Sequence, residues 1–87
     1  MKIKGNKQFK KQFKRLPKKL QEKVKSAILL FEQDPFNPRL RNHALHGRMA
    51  GKRAIVVTGD VRIIFQEFDD YTLVIFLDVG GHGQVYK

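Results

Sequence analysis

The chain lacks cysteine and tryptophan, and only 8 of its 87 residues are acidic. Without cysteine, neither thiolate catalysis nor a disulfide is possible, and a zinc site would need histidine and carboxylate ligands. No apolar run reaches about 18 residues, the length that a membrane-spanning helix needs. The lysine-rich start is not followed by an apolar stretch, so no secretory signal peptide is expected. We therefore expect a cytoplasmic protein with no membrane contact.

The length of the chain limits the number of domains and the size of any internal cavity. Eighty-seven residues suffice for one domain, residues 1–87, with a single core of helices on a sheet. A second lobe or an enclosed cofactor cavity would need a longer chain. We therefore expect an open, shallow active surface and no cofactor.

Positive charge is concentrated at one end of the chain. The formal net charge is +10, and eleven of the first 25 residues are Lys or Arg, against the single acidic residue Glu22. Such a field attracts polyanions, and binding through it should weaken steeply with salt. Nucleic acid or a ribonucleoprotein surface is the favoured partner, and an acidic protein remains an alternative. The residues predicted to bind RNA or the ribosome are Lys10, Lys11, Lys14, Lys18, Lys19, Lys52 and Arg53.

Apolar residues in the basic region recur at helical spacing. They predict one helix through Phe9, Phe13 and Leu16 and a second from Pro17 to Phe31. Proline is tolerated in the first turn of a helix, so the two helices should form a hairpin. The sequence Asp34-Pro35 should end the second helix, because proline disfavours helical geometry in the residue before it.

The second half of the chain is rich in β-branched residues. It predicts strands over residues 52–57, 61–67 and 71–79, joined by compact turns at 58–60 and 69–70. Such short turns favour an antiparallel meander, and residues 2–4 could add an edge strand. The predicted fold is α+β, with an N-terminal helical hairpin packed on a small antiparallel sheet.

Strand register predicts a site at one end of this sheet. A two-residue turn at 69–70 would pair Phe68 with Tyr71, Arg62 with Leu77 and Asp60 with Val79. Asp60 and Arg62 would then lie near the glycine-rich tail that carries His82 and Tyr86. Arginine is unusual in an apolar strand, so Arg62 should pair with Asp60 or Asp78 or bind a phosphate group.

The tail after the last strand, residues 80–87, carries groups suited to RNA chemistry. We expect a flexible histidine there, and imidazole exchanges protons near neutral pH. The phenol of Tyr86 can stack on a base or donate a hydrogen bond. A surface histidine and a core tyrosine are the alternative interpretation.

Several segments together resemble a known family. Asp-Val-Arg-Ile-Ile-Phe at residues 60–65 precedes an apolar strand and the ending Val-Gly-Gly-His-Gly-Gln-Val-Tyr at residues 79–86. Their order and spacing are similar to those of the RelE/ParE toxin superfamily of toxin–antitoxin systems. Residues 42–47 (Asn-His-Ala-Leu-His-Gly) and 51–53 (Gly-Lys-Arg) resemble its RelE and YafQ-like branch, and the resemblance spans most of the chain.

This resemblance implies a ribosome-dependent endoribonuclease. Such a toxin cuts mRNA in the ribosomal A site by attack of the RNA 2′-hydroxyl on the neighbouring phosphate, without a metal, and a cognate antitoxin inactivates it. The 70S ribosome, mRNA and the antitoxin are thus the implied partners. The implied catalytic residues are His82, Asp60, Arg62, Tyr86 and His43, with His82 exchanging a proton, Arg62 holding the phosphate and Tyr86 orienting a nucleotide.

The sequence also departs from the family. YafQ-like toxins have a second histidine on the strand before Asp60, where this chain has Val56, and RelE-like toxins have an arginine near the position of His82. His46 could replace the missing imidazole or be an exposed loop residue, and the second interpretation is favoured. Which group acts as acid and which as base stays open.

Three alternatives to the ribonuclease are retained. ParE-type toxins share this fold and act on DNA gyrase. A non-catalytic RNA-binding or ribosome-binding module would need the basic face but not His82. A metal site built from His43, His46 and His82 has enough imidazoles but no evident supporting shell.

Overall fold

A computed structural model describes residues 1–86 and therefore leaves Lys87 outside the described residues. The sheet consists of β1 (Lys2–Gly5), β2 (His43–Ala44), β3 (Arg53–Val56), β4 (Val61–Phe68) and β5 (Leu73–Gly81). The helices are α1 (Lys7–Arg15), α2 (Lys18–Gln33) and α3 (His82–Val85), with short 3-10 turns at Pro38–Leu40 and Gly47–Met49. The predicted α+β class is confirmed, as is the helical hairpin.

A side-chain cap and two prolines set the ends of the two hairpin helices. The side-chain oxygen of Asn6 accepts a hydrogen bond from the Phe9 N–H at 2.8 Å, which caps the free amides at the start of α1. Helix α2 starts directly after Pro17 and ends at Gln33, and Asp34, the residue before Pro35, is its extended C-cap, so the helix stops where predicted. No helix within residues 1–86 is long and apolar enough to cross a membrane.

The sheet has the strand order β1-β5-β4-β3-β2. Strands β3, β4 and β5 pair in antiparallel fashion, as predicted. The short strand β2, which was not predicted, pairs antiparallel with β3. The edge strand β1 forms where residues 2–4 were expected to add one, but it runs parallel to β5, with Lys2 opposite Leu73. The sheet is therefore mixed rather than wholly antiparallel.

Alternating side chains divide the core between two faces of the sheet. On the face covered by α1 and α2, Phe31 and Val24 pack in one cluster with Ile55, Ile63 and Phe65. The opposite face, called the second face, carries Ala54 and Ile64, which pack against Val85 of α3. Because the hairpin covers only one face, the second face is left for a short helix and for the candidate site.

The predicted pairing of β4 with β5 was wrong by three positions. Arg62 lies opposite Gly80 rather than Leu77. The turn contains four residues, 69–72, and Asp69, Asp70 and Tyr71 all have positive φ. A register irregularity between Ile64 and Phe65 adds the remaining shift. As a result, β5 continues to Gly81, and its end lies directly beside Asp60 and Arg62.

The tail also differs from the prediction. Instead of a flexible segment, residues 82–85 form the single helical turn α3, and Val85 is buried against the second face. The chain therefore turns back onto the sheet immediately after β5. This turn determines where the side chains of His82 and Tyr86 lie.

Candidate active site

An open pocket of about 630 Å³ lies at one end of the sheet. Its lining residues are Arg41, Asn42, His43, Val56, Arg62, His82 and Tyr86. Four of the five predicted catalytic residues are therefore brought together from three separate parts of the chain: the loop around β2, strand β4 and the tail. The fifth, Asp60, lies behind the pocket, against the start of α3.

Arg62 is half-buried, and the backbone directs its side chain. Its Nη1 donates hydrogen bonds to the carbonyl oxygens of Thr58 at 2.7 Å and Val61 at 3.3 Å. The one ion pair within residues 1–86 joins Glu22 and Lys25, so the alternative pairing of Arg62 with Asp60 or Asp78 does not form there. Asp78 instead accepts hydrogen bonds from Gln8 and Gln12 of α1. Among the residues that the structure describes, Arg62 therefore has no acidic partner.

His43 is exposed, and a neighbouring backbone group sets its tautomer. Its Nδ1 lies 2.7 Å from the carbonyl oxygen of Arg41. A carbonyl oxygen can only accept a hydrogen bond, so Nδ1 must carry the proton. In the neutral ring the lone pair is then on Nε2, which leaves that nitrogen able to accept a proton from a ligand.

His82 and Tyr86 lie one helical turn apart and act as a pair. Their ring centroids are 4.4 Å apart, with the planes at 62°, an edge-to-face contact. Val85 anchors this turn, since its side chain is only 3% exposed and packs with Ala54 and Ile64. The aromatic pair thus has a defined position at the pocket, although His82 itself is exposed.

Asp60 holds the start of α3. Its Oδ1 accepts a hydrogen bond from the backbone N–H of His82 at 3.3 Å. The residue at the cap position, Gly81, has no side chain of its own to accept this bond. Gln84 completes the arrangement by accepting a hydrogen bond from the Gly81 N–H at 3.0 Å. The geometry therefore gives Asp60 a positioning role, rather than direct access to the pocket.

The residues predicted to bind RNA are distributed over both sides of the molecule. Lys10, Lys11, Lys14, Lys18 and Lys19 are all exposed on α1 and α2, which cover the face opposite the pocket. Arg53 is engaged within the protein, since its Nε donates to the Asn42 side-chain oxygen at 2.8 Å and its guanidinium lies 5.8 Å from the centre of the Phe36 ring. Lys52 is half-buried and does not line the pocket.

Sequence reasoning missed three of the pocket residues: Arg41, Asn42 and Val56. Arg41 has a left-handed backbone, with φ 49° and ψ 45°, and no sequence signal marks such a conformation for arginine. Val56 occupies the position of the missing histidine, and His46 is exposed and outside the pocket lining. Within residues 1–86, no three histidine or acidic side chains form a group that could hold a metal ion.

Comparison with known proteins gives one family. The family model for YafQ, described as a bacterial toxin of type II toxin–antitoxin systems, matches residues 1–87. No curated protein sequence matches the chain significantly.

Solved structures of similar fold cover nearly the whole chain. The crystal structure of YafQ from E. coli strain BL21(DE3) is 24% identical and has a TM-score of 0.81, over 98% of this chain and 97% of that one. YafQ in the E. coli DinJ–YafQ toxin–antitoxin complex is 25% identical (TM-score 0.79, 98% and 96%). The YoeB/ParE toxin from Agrobacterium tumefaciens is 19% identical (TM-score 0.78, 94% and 99%).

Proposed function

Since this chain belongs to the YafQ family of bacterial toxins of type II toxin–antitoxin systems, we propose that it is an endoribonuclease that cuts mRNA in the ribosomal A site and so inhibits translation. The observation that carries this proposal is the shared pocket of His43, Arg62, His82 and Tyr86. Two imidazoles and a guanidinium in one open pocket are the acid–base groups and the cation that RNA cleavage without a metal requires.

RNA supplies its own nucleophile. The 2′-hydroxyl oxygen forms a bond to the adjacent phosphorus, and the bond from phosphorus to the 5′-oxygen of the next nucleotide breaks. The products are a 2′,3′-cyclic phosphate and a 5′-hydroxyl. One proton must leave the 2′-hydroxyl and one must reach the 5′-oxygen, while negative charge grows on the phosphoryl oxygens. The protein must therefore provide a base, an acid and a cation in fixed positions.

The pocket contains a candidate for each role. His43 is the base, because its neutral tautomer has the lone pair on Nε2. His82, as the protonated imidazolium, donates a proton to the departing 5′-oxygen. The guanidinium of Arg62 binds the phosphoryl oxygens, and the adjacent ring of Tyr86 stacks on or orients a nucleotide. Asp60 supports His82 through the backbone N–H at the start of α3.

The basic helices give the protein a second contact with RNA. Their lysines are exposed on the side opposite the pocket, so one molecule can bind ribosomal RNA through the helices while mRNA enters the pocket. Charge attraction of this kind is sequence-independent, which suits a large ribonucleoprotein target. The 70S ribosome is therefore the proposed site of action.

A cognate antitoxin protein is the proposed inhibitor. YafQ of E. coli forms a toxin–antitoxin complex with DinJ, and the present chain shares that family and fold. Its net charge of +10 favours a partner with an acidic surface.

The proposal is tested by mapping mRNA 5′ ends by primer extension in a purified translation reaction, with and without ribosomes. The wild-type protein is compared with His82→Ala and with His46→Ala, a control at an exposed histidine outside the pocket. We expect cleavage within codons that requires ribosomes, is abolished in His82→Ala and persists in His46→Ala. Intact message with folded wild-type protein would contradict the proposal, and gyrase-dependent DNA breakage would be assayed next.

A further inference from the structure

The loop that brings Arg41 and His43 to the pocket is held at the residue between them. The side chain of Asn42 is half-buried. Its Nδ2 donates hydrogen bonds to the carbonyl oxygen of Pro35 and to the hydroxyl oxygen of Tyr71, both at 3.0 Å. Its Oδ1 accepts a hydrogen bond from Nε of Arg53 at 2.8 Å. One amide thus joins three segments that are distant in sequence.

The orientation of this amide is unambiguous. The Pro35 carbonyl can only accept a hydrogen bond and the Arg53 guanidinium can only donate one, so the nitrogen and oxygen of Asn42 cannot be exchanged. Both N–H donors and the carbonyl oxygen are used. Neither aspartate nor any apolar residue can make the same three bonds.

The partners of Asn42 are themselves fixed by packing. Tyr71 contacts the rings of Phe31 and Phe65 in the core, with centroids 6.1 and 6.3 Å away. Phe36 packs edge-to-face on Tyr71 at 5.3 Å, and the guanidinium of Arg53 lies over Phe36. The anchor formed by Asn42 and its three partners is therefore attached to the core through Tyr71.

The anchored loop has a conformation that needs support. Arg41 has a left-handed backbone, which costs energy for any residue with a Cβ and persists where the surroundings hold it. In this conformation the Arg41 carbonyl accepts the hydrogen bond from His43 Nδ1, and both side chains line the pocket. The hydrogen bonds of Asn42 are thus linked to the tautomer of His43 through the backbone of Arg41, the residue next to Asn42.

We infer that Asn42 is a positioning residue, whose amide fixes the left-handed turn at Arg41 and thereby holds His43 in the pocket in its Nδ1-protonated form. The inference rests on the proposed function, since it assigns His43 the role of base. It adds that the Asn42 amide affects cleavage through the backbone of Arg41 and His43. The amide does not act on the reacting atoms themselves.

Two variants remove parts of the anchor. Asn42→Asp keeps the size of the side chain but sets an oxygen against the Pro35 carbonyl, which repels it. Tyr71→Phe keeps the aromatic packing and removes one of the three partners, so it should fold even where Asn42→Asp does not. Asn6→Ala is the control, because it removes an asparagine whose side-chain oxygen accepts a hydrogen bond from the Phe9 N–H at 2.8 Å at the start of α1, on the face opposite the pocket.

Each variant is studied by two independent measurements. The first is ¹⁵N NMR of the His43 ring in the free protein, which reports its tautomer without RNA or ribosomes. The second is the KM and kcat for ribosome-dependent mRNA cleavage. For Asn42→Asp we expect a mixture of tautomers and a fall in kcat of about 10- to 100-fold, with KM nearly unchanged. Tyr71→Phe should change the tautomer ratio and kcat in the same direction but to a smaller extent, and Asn6→Ala should resemble the wild type in both measurements.

The two measurements separate the possible failures. A His43 ring that keeps its tautomer in both Tyr71→Phe and Asn42→Asp, or a wild-type ring without the Nδ1-protonated form, would overturn the inference. Changed tautomers in a protein whose wild type cuts no mRNA would instead overturn the proposed function and leave the positioning role of Asn42 supported. A lower melting temperature with unchanged tautomer and kcat would show a purely structural residue and also overturn the inference.

Discussion

The Arg62 guanidinium makes both of its described hydrogen bonds through one nitrogen, Nη1. Those two bonds use the two hydrogens of Nη1 and fix the plane of the group. The Nε–H and the Nη2 hydrogens remain as a planar fork, which matches the spacing of two phosphate oxygens. The residue opposite Arg62 on β5 is Gly80, which has no side chain of its own.

Arg62→Lys tests whether this fork matters. Lysine keeps the positive charge but offers a single point donor, so it should retain RNA affinity while stabilising the transition state less. We expect single-turnover cleavage to slow by about 100-fold, with the Kd for RNA changed by less than about threefold. Arg15→Lys, at an exposed position of α1, controls for the exchange itself. An equal decrease of affinity and rate in Arg62→Lys would assign Arg62 to ground-state binding only.

At the level of the element, α3 is too short to be stable by itself. A single turn has little intrinsic helical stability, because nucleation costs more than one hydrogen bond returns. Three contacts stabilise this short helix. The Asp60 carboxylate accepts a hydrogen bond from the His82 N–H, the Gln84 side chain accepts one from the Gly81 N–H, and Val85 is buried against the second face. The position of His82 therefore depends on residues of β4 and its turn as much as on the tail.

Gly81→Ala should disturb this helix directly. A Cβ built on Gly81 would lie 2.9 Å from Asp60 Oδ2, closer than such atoms normally approach. The carboxylate would have to move away from the His82 N–H. We expect cleavage to slow at least tenfold and the His82 amide resonance to shift. Gly83→Ala is the control, since a Cβ there has nothing within 4 Å; equal effects in both variants would contradict this account.

The elements themselves were largely readable from the sequence, but their alignment was not. Helix α2 was found because its apolar residues recur at helical spacing between two prolines. Register failed at the turn after β4, where Tyr71 adopts φ 66°, a conformation that sequence patterns do not assign to tyrosine. Nevertheless, Arg62, His82 and Tyr86 were predicted to meet, because any antiparallel pairing brings the start of β4 near the end of β5. No strand pairing constrained the position of Arg41, so Arg41 was not predicted as a site residue.

At the scale of the whole molecule, the sheet separates two surfaces for which we propose different roles. The face covered by the helices carries most of the buried core, and the helices carry the lysine cluster. The second face carries the pocket and a smaller cluster around Ile64 and Val85. Binding of polyanions and chemistry at phosphate should therefore respond separately to mutation.

Replacing Lys10, Lys11, Lys14, Lys18 and Lys19 with glutamine tests this separation. We expect weaker ribosome binding and a flatter dependence of log Kd on log salt, by up to about 0.7 for each phosphate group that the variant no longer neutralises. The kcat at saturating ribosomes should be unchanged, because the lysines lie on the face opposite the pocket. Exchange of the same five residues for arginine should leave the slope as in the wild type. Unchanged affinity in the glutamine variant would assign the cluster to another partner.

The core on the helix side should dominate stability. Phe31 is fully buried and contacts the rings of Phe65 and Phe76 at 5.1 and 5.9 Å. Phe31→Ala should lower the free energy of unfolding by about 3–5 kcal/mol, measured by urea denaturation. Leu29→Ala lies two residues away on the same helix, but its side chain is 63% exposed, so a change within about 0.5 kcal/mol is expected. Similar values for the two variants would mean that the core is not packed as described.

The parallel pairing of β1 with β5 has a consequence for how the protein is made. Lys2 to Gly5 lie opposite Leu73 to Phe76, so the two paired strands are separated by about 70 residues of sequence. Contacts of such long sequence separation close late in folding. The helical hairpin can form as soon as α1 and α2 are synthesised, whereas the sheet, and with it the pocket at the end of β5, must await the synthesis of β5. Under the proposed function, a nascent chain therefore cannot cleave mRNA until β5 has been synthesised and has paired with β1 and β4.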